Sequence, residues 1–418
     1  MSESPFFSVV VATYNRGEHI IPTIKSVLSQ TETSFEVIVV GDGCTDNTGD
    51  VVKSFRSSKI SWVNLATNGG SQSFANNAGV EKARGKWIAY LGHDDIWTDD
   101  HLAQLRQAAS RSPNSEFVVS GCVFWGPPDS SILLVTGIFE ESIAAQTHFF
   151  PPSSLSHLRR VAAWCGGWRD PNTIAQPVDA DFVLRAVEER FHFTSTRKVT
   201  VHKFAAGHRY LSYLRQSSSE QADIFASMQE GSAPSSDEIV SESMRRDQFM
   251  IVRHTKPEIK GGIFQANRRN KGLALPPLQS LTKLSSIPLQ SQNRAMDWLF
   301  NSENSEPYLS SFQNPRPKLL IPFTGGSAKI EIQLNEVSQR LREDGLSLLV
   351  DDTEILATVC EDLNGKLALR ANIELNQDDY TVLTFLLLPQ RNSFTPSLVL
   401  QEYEDLKIFG LNVRPVVI

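Results

Sequence analysis

The fold is decided by FFSVVVAT at residues 6–13, IIPTIKSVLSQ at residues 20–30 and FEVIVV at residues 35–40. The first and third stretches are short and mostly apolar, which is typical of strands that are covered on both faces. The middle stretch repeats apolar residues at the spacing of one helix face. This order of strand, helix and strand with short loops predicts a parallel sheet with right-handed crossovers.

The same alternation continues to residue 92. It runs through GDVVKSFRS as a short helix, KISWVNL as a strand, FANNAGVEKARG as a helix and KWIAYLG as a strand. Ligands bind such sheets outside the carboxyl ends of the strands. Polar loops follow several of these strands, so we expect the functional site at that edge of the sheet.

The pattern changes from about residue 317. Seven short apolar or alternating runs follow, separated by Gly, Asn and Asp turns: PKLLIPF, AKIEIQL, LSLLVDD, EILATVC, KLALRANIEL, YTVLTFLLL and LNVRPVVI. Their spacing predicts a small all-β sandwich. We therefore predict an α/β domain at residues 1–215, a helical and linker region at 216–316, and a β-sandwich domain at 317–418.

Composition excludes several classes of protein. The net charge of −7 weighs against wholesale binding to nucleic acid or to an anionic membrane. The four cysteines are scattered without CxxC spacing, which indicates reduced thiols rather than a disulfide framework or a zinc site. No signal-peptide pattern and no transmembrane stretch of roughly eighteen apolar residues is present. These features predict a cytoplasmic protein, at most peripheral to a membrane.

The loop after the first strand, Ala12-Thr13-Tyr14-Asn15-Arg16, is a candidate nucleotide site. Its backbone and small hydroxyl could hold a base or a ribose, and Tyr14 could stack on a base. An ordinary strand-to-helix loop explains these residues equally well. Asp42 ends the second strand between two glycines and could accept a hydrogen bond from a base or a ribose, or it could only shape the turn.

The adjacent carboxylates of Asp94 and Asp95 follow the buried strand KWIAYL. Such carboxylates repel each other unless a cation compensates their charge. Mg²⁺ and Mn²⁺ take oxygen ligands from one or two carboxylates and leave coordination positions for substrate phosphates. Other Asp pairs occur in this sequence, so it is the position at the end of a strand that predicts a metal site.

TYNR, VIVVGDGCTDNT and NGGSQSFANNAGVEKARGKWIAYLGHDDIW together resemble the donor half of family-2 glycosyltransferases with the GT-A fold. The resemblance runs from about residue 6 to residue 105. It implies that a nucleotide-diphosphate sugar is bound by Ala12, Thr13, Tyr14, Asn15, Asp42 and Asn68. It also implies a DxD-type element in which Asp95 binds Mn²⁺ or Mg²⁺ directly and Asp94 reaches the ribose or the diphosphate. Gly41 and His93 stand where the family usually has Asp, and Asn76 stands where Arg is common.

The acceptor half resembles the family in Gly166-Gly167-Trp168-Arg169-Asp170 and in PVDADFVLR at residues 177–185. The resemblance places Gly167 and Trp168 at the nucleotide sugar and Asp179 at the catalytic position, with Asp181 as the rival. Val178 replaces the usual Glu. A catalytic carboxylate would take the proton of the acceptor hydroxyl as that oxygen attacks the anomeric carbon. Asp179 could also cap its helix.

Histidines further along the chain are candidates for a further metal ligand. His202 in KVTVHKF and His208 in AAGHRY are both possible on the resemblance, and Arg209 is a candidate contact to the diphosphate. A lone histidine is more often structural. We take His202 as the metal ligand to be tested.

The ending EDLKIFGLNVRPVVI resembles the close of β-sandwich modules that are appended to some bacterial polysaccharide glycosyltransferases. Such a module could bind acceptor glycan, form a homodimer or support the catalytic domain. The sequence has no aromatic cluster there that would favour a sugar platform. We therefore expect support or oligomerisation.

The leading hypothesis is an inverting, metal-dependent hexosyltransferase. It would move a sugar to a hydroxyl of a glycan or lipid-linked acceptor in surface polysaccharide synthesis. A sugar nucleotidyltransferase is an alternative, although TYNRGE is not the Gly-rich, basic phosphate loop which that class carries. A non-catalytic glycan-binding or scaffolding protein with a decayed site is a second alternative, because of Val178 and His93.

Overall fold

The structure is a computed structural model that divides the chain into two compact units. It describes residues 4–126, 132–139, 150–174, 177–204, 216–246, 248–249, 279–287, 299–303, 306–310, 318–334, 342–343, 345–351, 353–361, 367–379, 381–387 and 407–416. The described residues up to 249 belong to the first unit, and those from 279 onward belong to the second.

The first unit is built on one mixed, nine-stranded sheet. Its strands are β1 (Phe7–Thr13), β2 (Phe35–Gly41), β3 (Ile60–Asn64), β4 (Trp87–Gly92), β5 (Ile96–Trp97), β6 (Phe117–Trp125), β7 (Leu133–Thr136), β8 (Leu155–Leu158) and β9 (Phe193–Lys203). The order is β3-β2-β1-β4-β8-β6-β9-β5, with β7 paired to β6. The first four strands in this order are parallel, which confirms the parallel sheet predicted from the sequence. Because β8 runs antiparallel to both of its neighbours, the sheet as a whole is mixed.

Helices cover both faces of this sheet. They are α1 (Ile21–Leu28), α2 (Thr48–Ser54), α3 (Gln72–Lys82), α4 (His101–Arg111), α5 (Arg159–Trp164), α6 (Val178–Glu188), α7 (Ser219–Gln229) and α8 (Ser236–Arg245). Val9 and Val11 of β1 enter one hydrophobic core, and Val10 enters another. Side chains alternate along a strand, so both faces of β1 are buried. This explains why the strand is apolar without alternation.

The lengths of the described helices show whether any of them could cross a membrane. Within the described parts of the chain, no helix has the length and apolar composition needed to cross a bilayer. The longest of them have 11 residues. At about 1.5 Å per residue, such a helix is far shorter than a hydrocarbon core of about 30 Å.

The second unit is a β-sandwich, as predicted. Its strands are β10 (Gln279–Ser280), β11 (Ser285–Ser286), β12 (Leu299–Glu303), β13 (Glu306–Ser310), β14 (Lys318–Ile321), β15 (Phe323–Thr324), β16 (Gly326–Leu334), β17 (Leu346–Val350), β18 (Thr353–Glu361), β19 (Leu367–Leu375), β20 (Thr381–Phe385) and β21 (Lys407–Pro415). The first half of β18 pairs with β17 and the second half with β19, so one strand joins the two parts of the sandwich. Leu348, Leu369 and Leu411 lie in one shared core.

The stretch predicted as helical linker, residues 216–316, holds α7 and α8 at its start and the strands β10 to β13 further on. Ile239 of α8 packs into a core with Val123 and Val199 of the first unit. The boundaries at residues 215 and 316 stay predictions.

Candidate functional site

Three neighbouring strands end at one edge of the first sheet. In the register, Thr13 of β1 lies beside Gly41 of β2, and Ala12 lies beside Gly92 of β4. The residues that follow these strands, among them Tyr14, Asp42 and the turn His93–Asp95, are therefore brought to one edge. This is the arrangement expected from the sequence.

Asp42 ties two loops together at this edge. Its backbone N–H donates to the Thr13 carbonyl at 2.8 Å, and the Gly69 N–H donates to Asp42 Oδ1 at 3.0 Å. Only 5% of Asp42 is exposed. Gly43 has φ of +70°, and a Cβ there would lie 2.4 Å from the Asn68 nitrogen, so only glycine allows this contact. Asp42 and Asn68 thus share one site.

The loop after β1 has an unusual backbone at Asn15, where φ is +42°. The Asn15 side chain and Thr45 hold it through two hydrogen bonds, one donated by each residue, at 3.2 and 2.8 Å. Tyr14 is 39% exposed, so its ring is available to a ligand. Thr13 Oγ1 is buried and has no hydrogen-bond partner within the described residues.

The two carboxylates after β4 have different surroundings. Asp95 is fully buried, and its Oδ2 accepts hydrogen bonds from Lys203 Nζ at 2.8 Å and from the Ser153 hydroxyl. The Phe204 N–H donates to its Oδ1 at 3.3 Å. The Asp94 side chain keeps 16% of its surface exposed, and its Oδ2 lies 3.3 Å from Arg16 Nη2. Asp94 is therefore the carboxylate that a ligand can reach.

These surroundings shift the pKa values in opposite directions. Burial raises the pKa of Asp95, and the charge of Asp94 adds to this although Lys203 opposes it. Burial also works against ionisation of Asp94, but the positive charges of Lys203 and Arg16 hold its pKa below the ordinary value. Burial lowers the pKa of His93 to about 3, so this imidazole is neutral at physiological pH.

The structure does not bring His202 to these carboxylates. Its Nδ1 accepts a hydrogen bond from Trp125 Nε1 at 3.0 Å, and the two rings stack. The next residue along β9, Lys203, takes the face towards Asp95, because successive side chains of a strand point to opposite faces. In the part of the chain that the structure describes, no group of three or more His, Cys, Asp or Glu side chains could hold a metal ion. His208 and Arg209 lie outside the described residues.

The Gly-Gly-Trp turn lies between α5 and α6. Gly166 and Gly167 have φ of +73° and +68°, a conformation that favours glycine. Trp168 is 2% exposed and its ring stacks on Phe182, with centroids 4.9 Å apart. Asn77 of α3 exchanges two hydrogen bonds of 2.8 Å with the Trp168 backbone. The indole is thus a packing element of the turn.

Asp179 and Asp181 differ in what they contact. Asp181 is 3% exposed and pairs with Arg185 at 2.9 Å and with Arg169 at 3.5 Å. The Asp179 carboxylate, in the first turn of α6, has no hydrogen bond or ion pair with any described residue. Pro177 is the N-cap of this helix, so Asp179 does not cap it. Asp179 is the carboxylate left available for chemistry.

The sequence model of glycosyl transferase family 2 matches residues 8–130. These residues include β1, β2 and β4 and the loops that follow them. This region is a family-2 glycosyltransferase domain. The expected GT-A type α/β fold, followed by a β-sandwich, is confirmed with it.

Relatives of known organisms match part of the chain. The chain is similar to TuaG of Bacillus subtilis, a glycosyltransferase named for teichuronic acid biosynthesis, with 36% identity over 111 residues, 26% of this chain and 44% of that protein. It is also similar to the UDP-Glc:alpha-D-GlcNAc-diphosphoundecaprenol beta-1,3-glucosyltransferase WfaP of Escherichia coli, with 30% identity over 132 residues, 29% of this chain and 52% of that protein. The chain thus spans about half the length of these curated relatives.

Among solved structures, the chain is similar to S. aureus TarS 1-349 in complex with UDP-GlcNAc. The TM-score is 0.43 with 17% sequence identity, over 56% of this chain and 70% of that one.

Several residues that contact the candidate site residues were not singled out from the sequence. They are Ser153, Arg185, Lys203 and Gln221. Arg185 had a readable signal, because it follows Asp181 at the i,i+4 spacing of a helical ion pair. Lys203 follows His202, but its partner Asp95 lies 108 residues away in sequence, so no local pattern indicates the pair.

Proposed function

We propose that this protein is an inverting glycosyltransferase that moves a hexose from a nucleoside-diphosphate sugar to a hydroxyl of an acceptor. One observation carries the proposal. The match to family 2 falls on the sheet edge where Tyr14, Asp42 and Asp94 follow three neighbouring parallel strands. Such an edge is where ligands bind in open α/β sheets.

The donor nucleotide would bind across the ends of β1 and β2. Tyr14 offers an exposed ring for the base. The second carboxylate oxygen of Asp42 makes no hydrogen bond to a described residue, so it can accept from a base N–H or a ribose hydroxyl. Ala12 and Thr13 at the end of β1, Asn15 in the loop after it and Asn68 in the loop after β3 would complete the nucleotide site.

We assign the divalent cation, Mn²⁺ or Mg²⁺, to Asp94. The donor set fits, because such ions use one or two carboxylates together with substrate phosphates. Asp95, predicted as the direct ligand, has hydrogen-bond donors on both oxygens and is fully buried. When bound, the cation would supply charge neutralisation at the departing diphosphate. His202 has no part in this assignment, because Trp125 Nε1 donates to its Nδ1.

Asp179 would act as the general base. Its carboxylate takes the proton of the acceptor hydroxyl while that oxygen forms a bond to the anomeric carbon. The bond from the anomeric carbon to the phosphate oxygen breaks on the opposite side, which inverts the configuration. Such base catalysis contributes about 10²–10⁴-fold to a rate.

The names of the relatives suggest the substrate class. WfaP is named for a UDP-glucose donor and a diphosphoundecaprenol-linked acceptor, and TuaG for teichuronic acid biosynthesis. We propose that the acceptor is a lipid-linked molecule or a glycan in surface polysaccharide synthesis. We also propose that the protein is cytoplasmic and binds this acceptor at the membrane periphery. Support of the catalytic unit, or homodimerisation, is the role we propose for the β-sandwich.

Nucleotide binding tests this proposal first. The melting temperature is measured with UDP, GDP and TDP, each with Mn²⁺ and with a chelator, and donor hydrolysis is then followed with the matching sugar. We expect a metal-dependent rise for one base. Asp179→Asn is expected to bind nucleotide normally but to lose transfer, whereas Asp223→Asn, on an exposed residue of α7, keeps both. Transfer by Asp179→Asn at the native rate would refute the base assignment.

A further inference from the structure

A segment outside the family-matched region contacts the donor site at three points. Gln216, Ser218 and Gln221 lie just before and within the first turn of α7. Their side chains reach Asn15 in the loop after β1, His19 in the 3₁₀ turn that connects this loop to α1, and the carboxylate turn. We call these three residues the brace.

Gln221 acts on the carboxylate turn. Its Nε2 donates to the Asp94 carbonyl at 3.1 Å, and only 6% of the residue is exposed. The hydroxyl of Thr23 lies 3.1 Å from the His93 carbonyl and 2.9 Å from the Asp95 carbonyl. All three carbonyls of the turn therefore have a side-chain donor within hydrogen-bond distance. For Asp94, the residue whose carboxylate a ligand can reach, this donor is Gln221.

Gln216 and Ser218 act on the nucleotide loop. Gln216 Nε2 donates to the Asn15 carbonyl at 2.6 Å, and the Ser218 hydroxyl lies 3.4 Å from His19 Nδ1. Asn15 is the residue with the left-handed backbone, which costs free energy outside glycine. A donor on its carbonyl helps to keep this conformation.

We infer that the brace residues are positioning residues of the donor site. They join the nucleotide loop and the carboxylate turn to one helix, so the helix fixes the separation between Tyr14 and Asp94. This inference rests on the proposed function, in which Tyr14 contacts the base and Asp94 the cation. Misplacing a bound group by about 1 Å can lower a rate by about 10²-fold, so the site needs such a device.

The brace is tested with Gln221→Met, which keeps the side-chain length but removes both N–H donors. Gln229→Met, on an exposed residue of the same helix, is the matched control. We expect Gln221→Met to raise the half-saturating Mn²⁺ concentration and the donor KM by about tenfold, with the acceptor KM and the melting temperature equal to those of the control. Gln216→Met is expected to raise the donor KM without changing the Mn²⁺ requirement.

Amide hydrogen exchange gives a second readout that needs no activity. In Gln221→Met the amides of residues 93–96 are expected to exchange at least about fivefold faster than in Gln229→Met. Equal exchange rates in the two variants would overturn the proposal that the brace residues position the donor site. A loss of activity that changes the donor KM and the acceptor KM equally would overturn it as well. If the wild-type protein binds no nucleotide while exchange still separates the variants, the proposed function fails and the contact of Gln221 with the turn stands.

Discussion

Lys203 Nζ lies 2.8 Å from Asp95 Oδ2, so the more deeply buried of the two neighbouring carboxylates is neutralised by the protein itself. Asp94 is the one that remains within reach of a ligand, with Arg16 at 3.3 Å. Two adjacent and chemically identical residues therefore have separate tasks. In the function we propose, Asp95 holds the turn in place and Asp94 faces the donor.

Stability measurements should separate these tasks. Lys203→Met is expected to destabilise the fold by about 3–5 kcal/mol, because it leaves the buried Asp95 charge without its partner. Adding Asp95→Asn should recover part of this loss. Asp94→Asn should cost less than Lys203→Met, because the asparagine oxygen can still accept the hydrogen bond of Arg16 Nη2 and no fully buried carboxylate is left unpaired. Chemical denaturation measures the free energy of unfolding of all three variants. Equal losses of stability in Lys203→Met and Asp94→Asn would contradict the separate roles of Asp95 and Asp94.

The Gly-Gly-Trp turn gives a prediction on backbone strain. Gly167→Ala should destabilise the protein by about 1–3 kcal/mol, because φ is +68° and the added Cβ would lie 2.8 Å from Asn77 Oδ1. Gly166→Ala has the same backbone constraint but open space around the new Cβ, so its loss should be smaller. Melting temperatures of the two variants test this. Equal losses would show that the contact with Asn77 is unimportant.

Buried histidines predict a loss of stability in mild acid. Burial lowers the pKa of His101 to about 3 and the pKa of His157 and His202 to about 4. The unfolded chain takes up protons at these residues below about pH 6.5, but the folded chain does not. Stability should therefore be full above pH 6.5 and fall as the pH drops towards 4, by up to about 1.4 kcal/mol per pH unit for each histidine.

Denaturation at several pH values measures this slope. In His157→Gln the free energy of unfolding should change less steeply with pH, because one proton fewer, worth about 1.4 kcal/mol per pH unit, is taken up on unfolding. The glutamine amide can still reach the Tyr90 hydroxyl, which contacts His157 Nε2 at 2.9 Å in the wild type. An unchanged slope in this variant would show that His157 does not stay neutral in the fold.

Much of the fold could be predicted because the decisive patterns are local. The consecutive apolar residues Val9–Val11 of β1 follow from cores on both faces of that strand, and the alternation of β16 follows from one buried face. Both are properties of consecutive residues. The position of the site at the strand ends followed from the same reasoning, since loops after parallel strands meet at one edge.

The roles within the site could not be predicted in the same way. Asp95 as the direct metal ligand stays a prediction; nothing in the sequence indicates its contact with Lys203, which spans 108 residues. His202 was chosen by residue type, but its orientation depends on the alternation of β9 against Trp125. Partners that come from distant strands decide which carboxylate stays available, and no local pattern encodes them.

Calorimetric titration of UDP and GDP, with Mn²⁺ present, into wild type, Asp94→Asn and Asp179→Asn tests the central claim most directly. The account predicts that one nucleotide binds to the wild type and to Asp179→Asn with equal affinity, and that Asp94→Asn loses at least about tenfold. Unchanged binding by Asp94→Asn, or the absence of nucleotide binding by the wild type, would contradict it.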